Sequence, residues 1–252
     1  MAYKEDSANV WQDEYRIHSY EVDPKGQATV PFLCQFMQES AWHHAENLDV
    51  GFARLHERNL AWVLSRQRVV IDTYPRWGDT IKIHTWATGK GRLFWYRDFK
   101  ILDNDDNPIG RAATAWFVID MTSRKPQRAD SLQITLPDQI ECVFDRRPGK
   151  VDTLSSGILT QSTKVGYRDM DVNAHVNNVK YIDWLLDAFD LAFHEAHILP
   201  ELEINYLSEA SYGDEVSVIH QTIDSLTFLH TLIRNKDNTE LCRARTLWQS
   251  LA

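Results

Sequence analysis

Residues 101–116 read Ile-Leu-Asp-Asn-Asp-Asp-Asn-Pro-Ile-Gly-Arg-Ala-Ala-Thr-Ala-Trp, and residues 233–248 read Ile-Arg-Asn-Lys-Asp-Asn-Thr-Glu-Leu-Cys-Arg-Ala-Arg-Thr-Leu-Trp. The two match without a gap at one offset (248 − 116 = 132). In the first, a polar turn over Asp103–Asn107 sits between runs that alternate apolar and polar side chains, which is the pattern of a hairpin. A second echo pairs Tyr74…Gly78-Asp79-Thr80 with Tyr212-Gly213-Asp214-Glu215 (213 − 78 = 135). A third pairs Tyr20-Glu21-Val22-Asp23 with Tyr167-Arg168-Asp169-Met170 (167 − 20 = 147). Three matches in the same order mark an internal duplication. The falling offset puts extra length in the first half, around Leu48–Arg58.

The elements around these matches repeat one plan. Residues 14–23 read as a strand, and Pro24, Lys25 and Gly26 as a turn. Thr29 is placed to cap a helix with Pro31 in its first turn and an apolar stripe of Leu33, Phe36, Met37 and Ala41. His43 and His44 near its end read as a partly exposed helix face rather than a metal site. Residues 47–59 connect to strands over Ala61–Thr73, Thr80–Thr88, Leu93–Leu102 and Ile109–Asp120. A strand, a long helix and about four antiparallel strands give an α+β fold in which the sheet wraps the helix. The expected division is 1–123, a connector 124–158, and 159–252. The connector carries Arg124, Lys125, Arg128, Arg146, Arg147 and Lys150 among Pro126, Pro137 and Pro148, and reads as a solvated surface crossing.

Composition narrows the function. The chain has 252 residues, 43% hydrophobic and 25% charged, with a net charge of −9. That balance suits an ordinary globular chain and disfavours binding along a nucleic-acid backbone. No run of about 18 apolar residues is present, so no membrane span is expected. The polar start Met-Ala-Tyr-Lys-Glu-Asp-Ser has neither signal nor transit character. Cys34, Cys142 and Cys242 are isolated and odd in number, which argues against a disulfide framework or a zinc site and for a reducing cytoplasm.

Chemistry concentrates in residues 167–184. Asp171, Asn173 and His175 alternate, so an extended segment would put acid, amide and imidazole on one face. Val179, Ile182, Leu185, Leu186, Phe189 and Phe193 then follow at helical spacing, with Asn177 or Asn178 as N-cap. A polar trio at a helix N-terminus suits attack on a carbonyl: free N–H groups there hold developing negative charge. The competing reading is a capped polar turn. At the offset of 147 the trio faces Pro24, Gly26 and Ala28, so the first half has no counterpart, which favours function.

Asp-Val-Asn-Ala-His-Val-Asn-Asn-Val-Lys-Tyr resembles the signature of acyl-acyl-carrier-protein thioesterases, which carry two hotdog domains in one chain. Trp62-Val63-Leu64-Ser65-Arg66, Tyr74-Pro75-Arg76-Trp77-Gly78-Asp79, Thr85-Trp86, Arg97-Asp98-Phe99 and Ala115-Trp116-Phe117-Val118-Ile119-Asp120 are similar too, in order along nearly the whole chain. The resemblance implies two tandem hotdog domains and hydrolysis of a fatty acyl thioester on acyl carrier protein. It implies catalytic roles for Asp171, Asn173 and His175, with a glutamate placed at Glu209 by Asn205-Tyr206-Leu207-Ser208-Glu209-Ala210. Plant members have a cysteine where Ala210 stands, so a thiol nucleophile is not expected, and the absent transit peptide points to a bacterial member. Phe36, Met37 and Trp62 become candidates for the acyl pocket, and Asn177 and Asn178 for substrate contact. An acidic carrier would dock on Arg124, Lys125, Arg128, Arg146, Arg147, Lys150 and Lys180. With no Gly-rich phosphate loop and no metal-ligand spacing, no cofactor or metal is expected.

Three rival readings keep the fold. The carrier could be coenzyme A. A hydratase or dehydratase would have its histidine one residue further from the amide, after a proline, whereas Ala174 alone separates Asn173 from His175. A non-catalytic acyl-thioester sensor would need neither the trio nor Glu209. Two such domains already form a pseudo-dimer, and a homodimer of the chain is compatible with that.

Overall fold

The computed structural model describes residues 9–136 and 141–251, so Pro137 of the connector lies outside them. The chain divides into two units: Met1–Ser65 with Asp72–Pro148, and Arg66–Ile71 with Gly149–Ala252.

The first unit runs β1 (Trp11–Arg16), α1 (Val30–Asn47), α2 (Phe52–Glu57), β2 (Leu60–Ile71, entering the second unit at Arg66), β3 (Thr80–Lys90), β4 (Trp95–Leu102) and β5 (Pro108–Asp120). Its strands lie in the order β1-β3-β4-β5-β2. In β3, Ile81, Ile83 and Thr85 are buried while Lys82 and His84 are half-buried, the alternation expected of a sheet with one covered face. The covering element is α1, packed against β3 and β1, with Leu33, Cys34, Met37 and Ala41 turned inward. Thr29 is the N-cap residue, though its hydroxyl makes no capping bond. The β4–β5 hairpin is closed by Asp103, whose Oδ1 accepts from the N–H groups of Asp105 and Asn107, both at 2.9 Å.

Three expectations change here. The first strand lies earlier than 14–23, because the Glu21 carboxylate accepts from the His18 N–H at 2.7 Å and turns the chain. Residues 47–59 are not merely a connection: α2 places Leu55 in a buried cluster with Val50, Leu60, Trp95, Val118, Ala129 and Ile134. Ala129 and Ile134 come from the basic connector, which is no free surface strap. Gln127 donates from its backbone to Val118, Val143 donates to Asp98 Oδ2 at 2.8 Å, and the Arg147 guanidinium stacks 4.6 Å from the Tyr96 ring centre.

The second unit repeats the plan with β6 (Ile158–Lys164), α3 (Asn178–Leu186), α4 (Leu191–Ala196), β7 (His197–Tyr206), β8 (Glu215–Thr222), β9 (Thr227–Arg234) and β10 (Thr239–Ser250). Its order, β7-β10-β9-β8-β6, is the first unit's order read from the other end. Residues Arg66–Val70 of β2 pair antiparallel with β7. The helix expected through Phe193 breaks after Leu186, because the Asp190 carboxylate accepts from the Phe193 N–H at 2.7 Å and caps a new helix.

Each unit buries a histidine. His44 is 1% exposed, not on an open helix face, and its Nδ1 accepts from Arg97 Nη1 at 2.9 Å. Burial, then the Arg97 charge, lowers its pKa to about 3. His230 meets Thr246 Oγ1 at 2.9 Å and is lowered to about 3, chiefly by burial. Both stay neutral in the folded state while the unfolded chain takes up protons below about pH 6.5. Stability is therefore complete above that pH and falls as pH drops towards 3. The two together are expected to cost roughly 4 kcal/mol between about pH 7 and about pH 5. Urea unfolding at the two pH values measures it, and His230→Gln should flatten the dependence.

Candidate active site

The trio does not lie on an extended strand. Residues 171–175 form a tight turn closed by the Met170–Val176 bridge and by Asp171 N–H donating to the His175 carbonyl at 2.8 Å. Asp171 builds it: Oδ1 accepts from the backbone N–H of Asn173 at 2.8 Å and of His175 at 3.3 Å. An aspartate bonding two and four residues ahead gives the backbone an alternative to strand pairing. Ala174 completes the turn in the left-handed region, at φ 59°.

The first unit holds the same turn. Asp23 Oδ1 accepts from the N–H groups of Lys25 and Gln27, both at 2.9 Å, and Asp23 N–H donates to the Gln27 carbonyl at 2.8 Å. Gly26, at φ 73°, stands where Ala174 stands. The caps Thr29 and Asn177 begin the helices at the same distance (177 − 29 = 148). The true offset is thus 148, one more than the Tyr20–Tyr167 match suggests, and Asp171, Asn173 and His175 face Asp23, Lys25 and Gln27. The hairpin match also slips by one: Arg97 lies opposite Thr114, whereas Phe228 lies opposite Thr246. The acid is therefore present in both units. The asymmetry rests on Asn173, His175 and the residue next described.

Val176 N–H donates to the Ala210 carbonyl at 3.3 Å, as Ala28 donates to Pro75 at 2.8 Å. This contact stitches the chain after β7 to the turn and brings Glu209 beside it. Glu209 Oε2 lies 3.4 Å from His175 Nε2, with both side chains about one-third to two-fifths exposed. Tyr74 occupies the Glu209 position in the first unit, so no carboxylate–imidazole pair forms there. Just beyond, α3 begins with the Asn177 side chain accepting from the Val179 N–H at 3.0 Å. The site thus combines a carboxylate-supported imidazole, an acid whose Oδ2 stays outside the turn's bonds, an exposed amide and a helix N-terminus. Such a set can activate water and receive an oxyanion.

Phe36, Met37 and Trp62 all belong to the first unit. Phe36 stacks on Tyr15 with centroids 4.5 Å apart, Met37 is fully buried, and Trp62 meets Trp95 edge-on while donating to the Val50 carbonyl at 2.8 Å. Phe36 and Trp62 are thus half-buried, and Met37 lies in the core. Asn178 is the first residue of α3 and half-buried. Lys180 is paired with Asp183 at 2.8 Å, and Arg147 donates to Thr88, whereas Arg124, Lys125, Arg128, Arg146 and Lys150 are exposed. Cys34 and Cys242 are buried, burial pushes the Cys242 thiol up, and Cys142 lines a first-unit cleft of about 200 Å³ with Asp72 and Arg111. Among the described residues no three side chains are grouped to hold a metal ion, and no helix is long and apolar enough to cross a membrane.

Comparison with known proteins bears on both units. The acyl-ACP thioesterase N-terminal domain model matches residues 8–132, and the corresponding C-terminal domain model matches residues 156–250. A palmitoyl-acyl carrier protein thioesterase from Gossypium hirsutum is 29% identical over 95% of the chain, which spans only 64% of that relative's length. A solved acyl-ACP thioesterase from Bacteroides thetaiotaomicron is 26% identical, with a TM-score of 0.87 over 95% of this chain and 98% of its own. The 12:0-ACP thioesterase from Umbellularia californica, at 22% identity, shares the fold with a TM-score of 0.84 over 99% of this chain and 100% of its own.

Proposed function

Because this chain belongs to the acyl-ACP thioesterase family, we propose that its second unit hydrolyses the thioester joining a fatty acyl group to acyl carrier protein. The observation that carries this reading is the His175–Glu209 pair on the turn before α3, absent from the twin turn. In the proposed reaction Asp171 Oδ2 takes a proton from a water whose oxygen attacks the acyl carbon. Glu209 and His175 orient that water. Asn173 receives the oxyanion, and the positive end of the α3 dipole favours its charge. As the carbon–sulfur bond breaks, His175 supplies the proton that the carrier's thiolate takes up. No thiol of the protein takes part, in keeping with Ala210 beside Glu209.

The carrier is acidic and this chain has a net charge of −9, so docking has to use local positive charge. Arg124, Lys125, Arg128 and Arg146 of the first unit and Lys150 of the second are the exposed candidates. Release of free acid from matched acyl-carrier-protein and acyl-coenzyme A thioesters, each at low and high salt, tests the reading. The carrier-protein thioesters should react faster, and salt should slow them. Equal or faster reaction of the coenzyme A thioesters with no salt effect would transfer the activity to that carrier.

A further inference from the structure

We propose that the peptide group joining Glu209 to Ala210 is clamped at both ends, and that Tyr181 and Arg234 are positioning residues for Glu209. Its N–H, on buried Ala210, donates to the Tyr181 hydroxyl at 2.9 Å. Its carbonyl, on Glu209, accepts from Arg234 Nη1 at 2.9 Å. Neither clamp is loose. The Tyr181 ring is 2% exposed and lies edge-on to Tyr206, with centroids 5.8 Å apart, and tilted against Trp184 at 5.6 Å. Arg234 is fixed in turn by Asp237, at 3.0 Å to Oδ1 and 2.8 Å to Oδ2.

The twin unit shows what the clamp is for. Ala210 corresponds to Pro75, since Val176 and Ala28 donate to those two carbonyls. Tyr181 corresponds to Leu33, each four residues beyond its helix cap. Arg234 falls opposite Asp103, whose carboxylate is folded onto its own hairpin turn. The first unit therefore has a proline with no N–H to satisfy, a leucine in place of the hydroxyl, and an aspartate in place of the guanidinium. Both arrangements support the same turn and the same helix start. A hydroxyl and a guanidinium on this peptide are thus not required by the fold. They occur where the preceding side chain is Glu209 rather than Tyr74. A side chain that must hold an imidazole and a water needs its backbone fixed, because displacement by an ångström is costly to a catalytic geometry.

This inference rests on the reading that Glu209 acts in hydrolysis. The test is a cycle of Tyr181→Phe, Ala210→Pro and the double variant, read by kcat, KM and the nuclear magnetic resonance signals of the His175 ring. Tyr181→Phe should lower kcat about 10- to 100-fold with KM nearly unchanged, and should move the His175 signals. The double variant removes the orphaned N–H as Pro75 does, and should recover most of kcat and return the signals. Wild-type kcat and unmoved signals in Tyr181→Phe would overturn the proposal, as would a double variant no better than the single one. If Tyr181→Phe does not fold, Arg234→Gln is read instead: slower turnover with moved His175 signals supports the clamp, and unchanged values refute it. Wild-type protein that releases no acid from any thioester would defeat the proposed function, while the His175 signals, which need no substrate, would still judge the clamp.

Discussion

Asp171→Asn is expected to keep the turn and to lower turnover roughly 10²- to 10⁴-fold, the scale of losing a general base. The two effects separate because the carboxylate has two jobs. Its Oδ1 accepts the N–H groups of Asn173 and His175, and an amide oxygen accepts them equally well. Its Oδ2 is assigned the water's proton, and an amide cannot take it. The first unit provides the control. Asp23 builds the same turn with Gln27 and Tyr74 where His175 and Glu209 stand in the second unit, so Asp23→Asn should change neither turnover nor unfolding midpoint. Steady-state rates and thermal unfolding of the two variants check this together. Near wild-type turnover in Asp171→Asn would reduce Asp171 to the role Asp23 plays.

Much of the fold was legible because it depends on local periodicity. The alternation along Thr80–Lys90, the Asp103–Asn107 turn and the Asn177 cap are all set by side chains within a few residues of one another. The duplication was legible for the same reason. What was misread turns on single carboxylates that bond the backbone. Glu21 ends β1 early, Asp190 restarts a helix, and Asp171 folds an apparent strand into a turn. In each case alternation or helical spacing of the apolar residues suggested continuity, and one acid interrupted it.

The one-residue error in the repeat had a signal available. Glu21 and Asp23 are two apart, as are Asp169 and Asp171, and matching acid to acid gives the offset of 148 that the backbone bonds confirm. Matching Tyr20 to Tyr167 instead hid the twin aspartate. The clamp on the Glu209–Ala210 peptide was beyond reach, since Tyr181 lies 29 residues away in sequence and Arg234 lies 25. Only the folded unit brings them together.

In the proposed mechanism, two nearly identical turns differ in function because one carries His175 and Glu209 where the other carries Gln27 and Tyr74. Writing the first unit's residues into the second, as His175→Gln with Glu209→Tyr, tests it most directly. Gln27 and Tyr74 sit on an intact turn in the first unit, so the exchange should leave the fold standing. The effect should be large, because a pair that acts as a unit loses most of its contribution when either member goes. Free-acid release from acyl carrier protein thioesters by the double variant, measured beside its thermal midpoint, is the observation. A loss of about 10³-fold or more at a retained midpoint is expected. Release at near wild-type rate from a folded double variant would contradict it and move the chemistry away from this turn.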